Sequence, residues 1–281
     1  MAMYKKHFYI VKYFARKIDA HKVGAYSAEG AFYMTISIFP FIILLLSLVR
    51  FLPFEHAQMF NFLSGMLPDE VDRFLSDFIT KITNNTTNAI TIFSALGLLW
   101  SASKGVYSVI GGLNSVSETK ETRNYFKVKF LSLFYTLSFI LIILLTFILL
   151  VFGNRIVAFA RSKIPYIAVI YIIMSLRYLI GFCLLVFFFS FVYAFLPAKK
   201  QRFTTQMPGA IIASVGWIAF SYAFSFYIDN FSNYATVYGS LTAIVLLMLW
   251  LYSCMYILFF GGEINLYYQK KVINVNDKKG K

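Results

Sequence analysis

Six long apolar segments, separated by polar connections, set what this chain can fold into. They run Ala31–Leu52, Ala89–Leu113, Phe130–Gly153, Ile167–Leu196, Met207–Ile228 and Tyr238–Phe260. At about 1.5 Å of rise per residue, a helix over each is long enough to cross a hydrocarbon core of about 30 Å. Phe130–Gly153 and Val169–Leu196 are apolar nearly all round, and such a helix has no face to offer water. The chain is 59% hydrophobic, which excludes an ordinary soluble domain. The expected fold is all-α, a polytopic transmembrane bundle of six helices forming one domain over 1–281. An amphipathic cytoplasmic helix is expected in 1–27, six spans within 31–260, and a cytoplasmic tail over 261–281.

The net charge of +14 invites a nucleic-acid reading, but its distribution follows the spans instead. Eighteen basic residues lie in the N-terminal segment, the second and fourth connections and the C-terminal tail, against five in the outer connections. The positive-inside rule then puts both termini in the cytoplasm, as an even number of spans requires, and the chain in the cytoplasmic (inner) membrane. The expected partners are membrane lipids, with anionic headgroups meeting the basic face at about 1 kcal/mol per residue, and no nucleic acid. A homo-oligomer or a membrane-protein partner is left open. The basic N-terminus lacks a small-residue cleavage site, so no cleavable signal peptide is expected.

Tyr4–His21 reads as an interfacial helix with Phe8, Val11, Ala15 and Ile18 on one face; docking under the bundle is the alternative. The long first connection, Pro53–Asn88, carries two amphipathic patterns, Ala57–Leu67 and one after Pro68-Asp69-Glu70, which would seal or roof the outer face. Pro40 is the one proline within a span and is expected to bend that helix. In the second span Ser101, Gly105, Ser108 and Gly112 form a stripe of small residues that lets another backbone approach closely. Trp100, Ser103 and Gly111-Gly112 recur at the same spacing as Trp250, Ser253 and Gly261-Gly262, a weak internal repeat with similar packing roles.

Ionisable side chains inside a membrane are expensive and therefore candidates for function. Lys104 lies about nine residues, or roughly 13 Å of helix, from the inner end of its span. Glu29 and Glu263 sit near the inner ends of the first and sixth spans and are candidates to pair with it, as a substrate track or as a structural ion pair. Arg177 snorkels to the outer interface if the fourth core begins at Tyr178. The polar turn from Asn230 through Asn233 to Tyr238 is a candidate contact for a headgroup or an ion. Cys183 and Cys254 read as small buried hydrophobes. His7, His21 and His56 are scattered outside the spans, so no metal site is expected. Catalytic triads, phosphate-cradling glycine loops and HExxH patterns are absent from the sequence, so neither an enzyme nor a cofactor is expected.

Several of these residues resemble a known family. Ala31-Phe32-Tyr33 with Ser37-Ile38-Phe39-Pro40, Gly97 through Gly105 with Asn114, Pro208-Gly209-Ala210, Asn233 through Leu241, Trp250-Leu251-Tyr252 and Gly262-Glu263-Ile264-Asn265 are similar to the signatures of the YihY/virulence factor BrkB family. The sequence departs from the family after Tyr234, where an Asn usual in the family is missing. The resemblance covers nearly the whole chain. It implies a six-span inner-membrane protein whose old label, ribonuclease BN, is a misassignment. It also implies transport of lipids or other amphiphiles in envelope homeostasis.

The charge distribution generates a labelling test. Lys6→Cys and Lys279→Cys are expected to be shielded from impermeant thiol reagents in intact cells, whereas Asn85→Cys is expected to label. Labelling of either terminus from outside would reverse the orientation.

Overall fold

The computed structural model describes residues 2–49, 88–138, 140–141, 167–230 and 241–279. Among these residues the chain is helical, without a strand. In order the elements are α1 (Ala2–Ala20), α2 (Val23–Val49), α3 (Asn88–Val116), α4 (125–138), α5 (Ile167–Phe195), α6 (Met207–Asn230) and α7 (Thr242–Lys279), with a 3-10 turn at Phe203–Gln206 ahead of α6. Helices stand where the apolar segments predict them, but two differ in extent. α2 starts eight residues before Ala31 and so includes Glu29. α7 runs nineteen residues beyond Phe260, so most of the expected tail is helix. The third apolar segment is described only to residue 141. The two helices expected in the first connection lie outside the described residues.

Among the described residues two stretches, Phe203–Ile228 and Thr242–Lys271, are long and apolar enough to cross a membrane. A buried core helix of a soluble protein passes the same test, so burial decides between the two readings. Only 11% and 22% of their most apolar windows are buried. Large side chains on other helices are equally uncovered: Phe93 is 74% exposed, Phe130 71% and Leu184 63%. Apolar surface on this scale marks contact with something other than water.

The described chain falls into two compact units. The first comprises Met1–Phe32, Gly105–Lys129 and Leu176–Lys281. At its centre α6 and α7 cross at glycines. A Cβ on Gly209 would overlap the Gly261 carbonyl oxygen, and one on Gly261 would lie 2.8 Å from the Gly209 carbonyl oxygen. Without a hydrophobic drive between helices in lipid, such close backbone approach supplies much of the attraction. The glycine pairs of α3 and α7 also face each other's helices. Gly112 leaves room for the Phe259 ring, and a Cβ on Gly262 would lie 2.9 Å from Val116. α1 docks on α7 through Tyr13 and Phe14, whose rings lie 5.4–5.6 Å from those of Tyr267 and Phe260. Val11 and Ala15, expected on the apolar face, stay exposed.

The second unit comprises Tyr33–Lys104 and Phe130–Ser175. α2 runs through Pro40 as one helix. Across from it α3 presents Gly97, where an added Cβ would lie 3.8 Å from the proline ring. Ser101 Oγ, one turn on, donates to the Gly97 carbonyl at 2.7 Å. Ser132 and Thr136 turn inward on α4, with Thr136 donating to the Ser132 carbonyl at 2.7 Å.

The glycine crossing is testable. Gly209→Val or Gly261→Val forces α6 and α7 apart and is expected to destabilise the protein by about 1–3 kcal/mol, the usual range for overpacking. The readout is thermal aggregation in detergent. Gly181→Ala, where a Cβ meets nothing within 4 Å, is expected to be neutral or slightly stabilising.

Candidate functional site

Polar side chains in the first unit collect at one end of the helices and join five chain segments. The cluster starts where α1 ends. Lys22 takes a left-handed conformation with φ 54°, which turns the chain into α2 and leaves His21 at the corner. His21 is 8% exposed and its Nδ1 is hydrogen-bonded to Glu263 Oε1 of α7. Its carbonyl accepts a hydrogen bond from Ser115 Oγ of α3 at 2.9 Å. Glu263 is fully buried, and its second oxygen has no hydrogen-bond partner among the described residues.

The other side of the imidazole faces a second carboxylate. His21 Nε2 lies 3.7 Å from Glu118 Oε1, an electrostatic contact rather than a hydrogen bond. Glu118 ends α3 in a Schellman arrangement. Its own N–H donates to the Ser115 carbonyl at 3.0 Å and the Thr119 N–H to the Asn114 carbonyl at 2.9 Å. Its φ is 50°, the left-handed conformation that glycine usually supplies. A side chain there costs about 1–2 kcal/mol, and the carboxylate offsets it by holding Lys17 of α1 and Lys270 of α7, the latter at 2.6 Å. Those hydrogen bonds, Lys17 first, lower its carboxyl to about 2, while Glu118 in turn raises Lys17.

A latch of similar chemistry lies on the second connection. Arg123 grips Glu121 through Nε at 2.8 Å and a terminal nitrogen at 2.7 Å. Chiefly through that bidentate contact the Glu121 carboxyl is lowered to about 2. Asn114 donates to Glu121 Oε2 and accepts from the Ala198 N–H, both at 2.7 Å, so one amide ties α3 to the segment after α5.

Asn265, one turn from Gly261 on α7, satisfies an N–H that α6 cannot satisfy itself. Its Oδ1 accepts from Gly209 N–H in the first turn of α6 at 2.7 Å. Beside it lies a cavity of about 20 Å³ bordered by Tyr193, Gln201, Gln206, Gly262 and Asn265. Its size suits one water, and the unpartnered Asn265 Nδ2 is the group such a water would serve. Tyr193 spans α5 and α7 by donating to the Leu258 carbonyl at 2.7 Å.

The residues singled out from sequence are engaged as follows. Lys104 lies over the rings of Trp100 and Tyr33, at 4.4 and 5.0 Å from their centroids, with the Tyr33 hydroxyl at 3.3 Å. Its contacts are aromatic, and among the described residues it forms no ion pair. Glu29 accepts from Ser108 Oγ at 3.1 Å, and Glu263 is hydrogen-bonded to His21. Ser101, Gly105, Ser108 and Gly112 are all buried. Ser108 Oγ also reaches the Tyr26 carbonyl at 3.0 Å. Asn230 is exposed at the end of α6 and bonds back to the Phe226 carbonyl at 2.8 Å. Asn233, Tyr238 and the Arg177 side chain lie outside the described residues. Cys254 is buried, but Cys183 is exposed, which corrects the expectation for it; a segment apolar all round does not tell inside from outside. His21 and Glu118 are the members that sequence reasoning missed.

The comparisons with known proteins bear on this arrangement. The model of the virulence factor BrkB family matches residues 14–281. The chain belongs to that family. It is 31% identical over 262 residues to a protein of Bacillus subtilis (strain 168) named ribonuclease-like protein YfkH, covering 91% of this chain and 94% of that one. It is 26% identical over 272 residues to UPF0761 membrane protein VV0203 of Vibrio vulnificus (strain YJ016), covering 90% and 80%. A UPF0761 membrane protein of Actinobacillus pleuropneumoniae is 23% identical over 281 residues, covering 96% of each. No solved structure matches. Family membership and the uncovered apolar helices together make this a membrane protein.

The two lowered carboxyls set an acid limit. Each contributes stability above its unfolded value of 4.5 and loses it as pH falls through about 2. A Glu118→Gln/Glu121→Gln variant is therefore expected to melt below the unsubstituted protein at neutral pH, with the gap closing between pH 4.5 and about 2. Melting in detergent across that range checks it; a constant gap would show that these pairs add no stability.

Proposed function

We propose that this protein spans the cytoplasmic membrane six times with both termini inside, and that it moves lipids or other amphiphiles between leaflets. The observation that carries the reading is the buried cluster around Glu263, among helices whose outer faces are apolar. Such groups are expensive in a bilayer and mark pathways more often than plain scaffolding. A groove of about 550 Å³ beside α1, bordered by Lys12, Tyr13, Arg16, Lys17 and Ala20, supports the choice of cargo. With Lys17 held by Glu118, Lys12, Arg16 and the Tyr13 phenol suit an anionic headgroup, and basic residues at a membrane surface attract such lipids. Lys104 offers a further cation held by aromatic faces, without a carboxylate partner among the described residues, to meet a phosphate.

A second reading, a membrane scaffold without transport, is favoured by the size of the cavity at Asn265, about 20 Å³, which has room for a water but not for a headgroup. On that reading the polar groups lock helices together. The word ribonuclease in the name of the Bacillus relative is said of that protein; on this chain it stays a distant third, since the sequence offers no general-base constellation for phosphodiester cleavage.

Lys104→Ala separates the first two. Among the described residues truncation strands no carboxylate, and it removes cation–π contacts of about 0.5–2 kcal/mol, so the variant is expected to insert and stay monodisperse in detergent. In vesicles carrying a fluorescent phospholipid, the unsubstituted protein is expected to expose inner-leaflet label to an impermeant quencher. Lys104→Ala is expected to do so about tenfold more slowly, equivalent to ~1.4 kcal/mol in the barrier. Equal rates for empty vesicles and vesicles with the unsubstituted protein would favour the scaffold.

A further inference from the structure

His21 stands between two carboxylates with opposite access to water. On its Nδ1 side is Glu263, fully buried on α7. On its Nε2 side, 3.7 Å away, is Glu118, whose side chain is 36% exposed. A structural pair needs only the first of these contacts. The second sets a water-accessible acceptor against the far nitrogen of the same ring, the arrangement a proton needs to move through an imidazole. Glu118 also occupies a left-handed position that favours glycine, which ties its presence to its carboxylate. The remaining charged groups in contact with the cluster are Lys17 from α1 and Lys270 from α7, both on Glu118. They leave Glu263 with His21 as its hydrogen-bonded partner and with its second oxygen unpartnered among the described residues.

We propose that Glu263 is an exchangeable proton-binding site, loaded from the adjoining aqueous face through His21, with Glu118 stabilising the protonated ring on the way. A water-borne proton binds Nε2, and the Glu118 carboxylate 3.7 Å away stabilises the transient imidazolium. The Nδ1–H bond then breaks and its proton joins Glu263 Oε1. One N–H bond forms, one breaks and one O–H bond forms; the ring is neutral before and after, and the carboxylate becomes a neutral acid. Reversal unloads the site to the same face and restores the tautomer. A negative charge fixed in the helix end is thereby switched off and on. This deepens the transport reading by naming a coupling ion, and it rests on that reading for its purpose but not for its chemistry.

The test reads protonation directly on the full chain in lipid nanodiscs, with no lipid movement measured, so failure of the transport reading leaves its result standing. Infrared difference spectra across a pH titration are expected to contain, beside the bands of the surface acids, a carboxylic-acid carbonyl band that Glu263→Gln removes. After a rapid pH drop, Glu118→Gln is expected to keep the full band at equilibrium but to slow its rise about tenfold or more. Glu118→Gln carries the test because its substitution is at the surface and leaves the His21–Glu263 contact intact, whereas His21→Gln disturbs the buried pair itself. A band that survives Glu263→Gln, or one that rises in Glu118→Gln at the unsubstituted rate, would overturn the proposal.

Discussion

A carboxylate with no water around it must find its partners within its own chain, and much of the first unit is arranged around that need at Glu263. An isolated buried charge is costly, and removing one member of a buried pair leaves the other uncompensated. His21 answers from the corner between α1 and α2, so the docking of α1 and the electrostatics of α7 are one problem rather than two. The aromatic contacts of Tyr13 and Phe14 on Phe260 and Tyr267 hold α1 along α7 on the helical turns beside that pair. Glu118 extends the arrangement outward by fastening Lys17 and Lys270 to the end of α3. The end of α1, the end of α3 and the middle of α7 therefore meet on two carboxylates and one imidazole.

Close backbone approach is what allows the pair to be sealed. The crossing at Gly209 and Gly261 lets α6 and α7 meet without intervening side chains. Asn265, four residues further along, then reaches the Gly209 N–H that helix geometry leaves free. Glu263 lies between these two contacts on α7. A bulkier residue at Gly261 would therefore disturb the same turn that carries the buried acid. Packing and ionisation are coupled here through a single turn of helix.

The helices were legible because their apolar segments are long and the glycines and serines of α3 repeat at helical spacing. Both are local patterns. The side of each helix that faces lipid was not legible: Val11 and Ala15 of α1 stay exposed while Tyr13 and Phe14 pack, and Cys183 lies outside while Cys254 lies inside. Glu263 was visible as an acid near a span end, but its partner was not. His21 is 242 residues away, and a contact over that separation leaves no trace in periodicity. Glu118 was hidden for a different reason. Nothing in the local sequence says that a glutamate will cap α3 with φ 50°, a position a reader assigns to glycine or asparagine. Its value appears only once α1 and α7 bring two lysines to it.

The two candidate centres differ in what surrounds their charge, and this difference has functional content. Lys104 in the second unit is held by ring faces, which attract a cation without neutralising it. Its charge, unpaired among the described residues, suits an anionic ligand. Glu263 in the first unit is held by a titratable base, so its charge can be cancelled by one proton without breaking a helix contact. A fixed cation suits binding, and a switchable anion suits control of when binding occurs. The chain carries one of each.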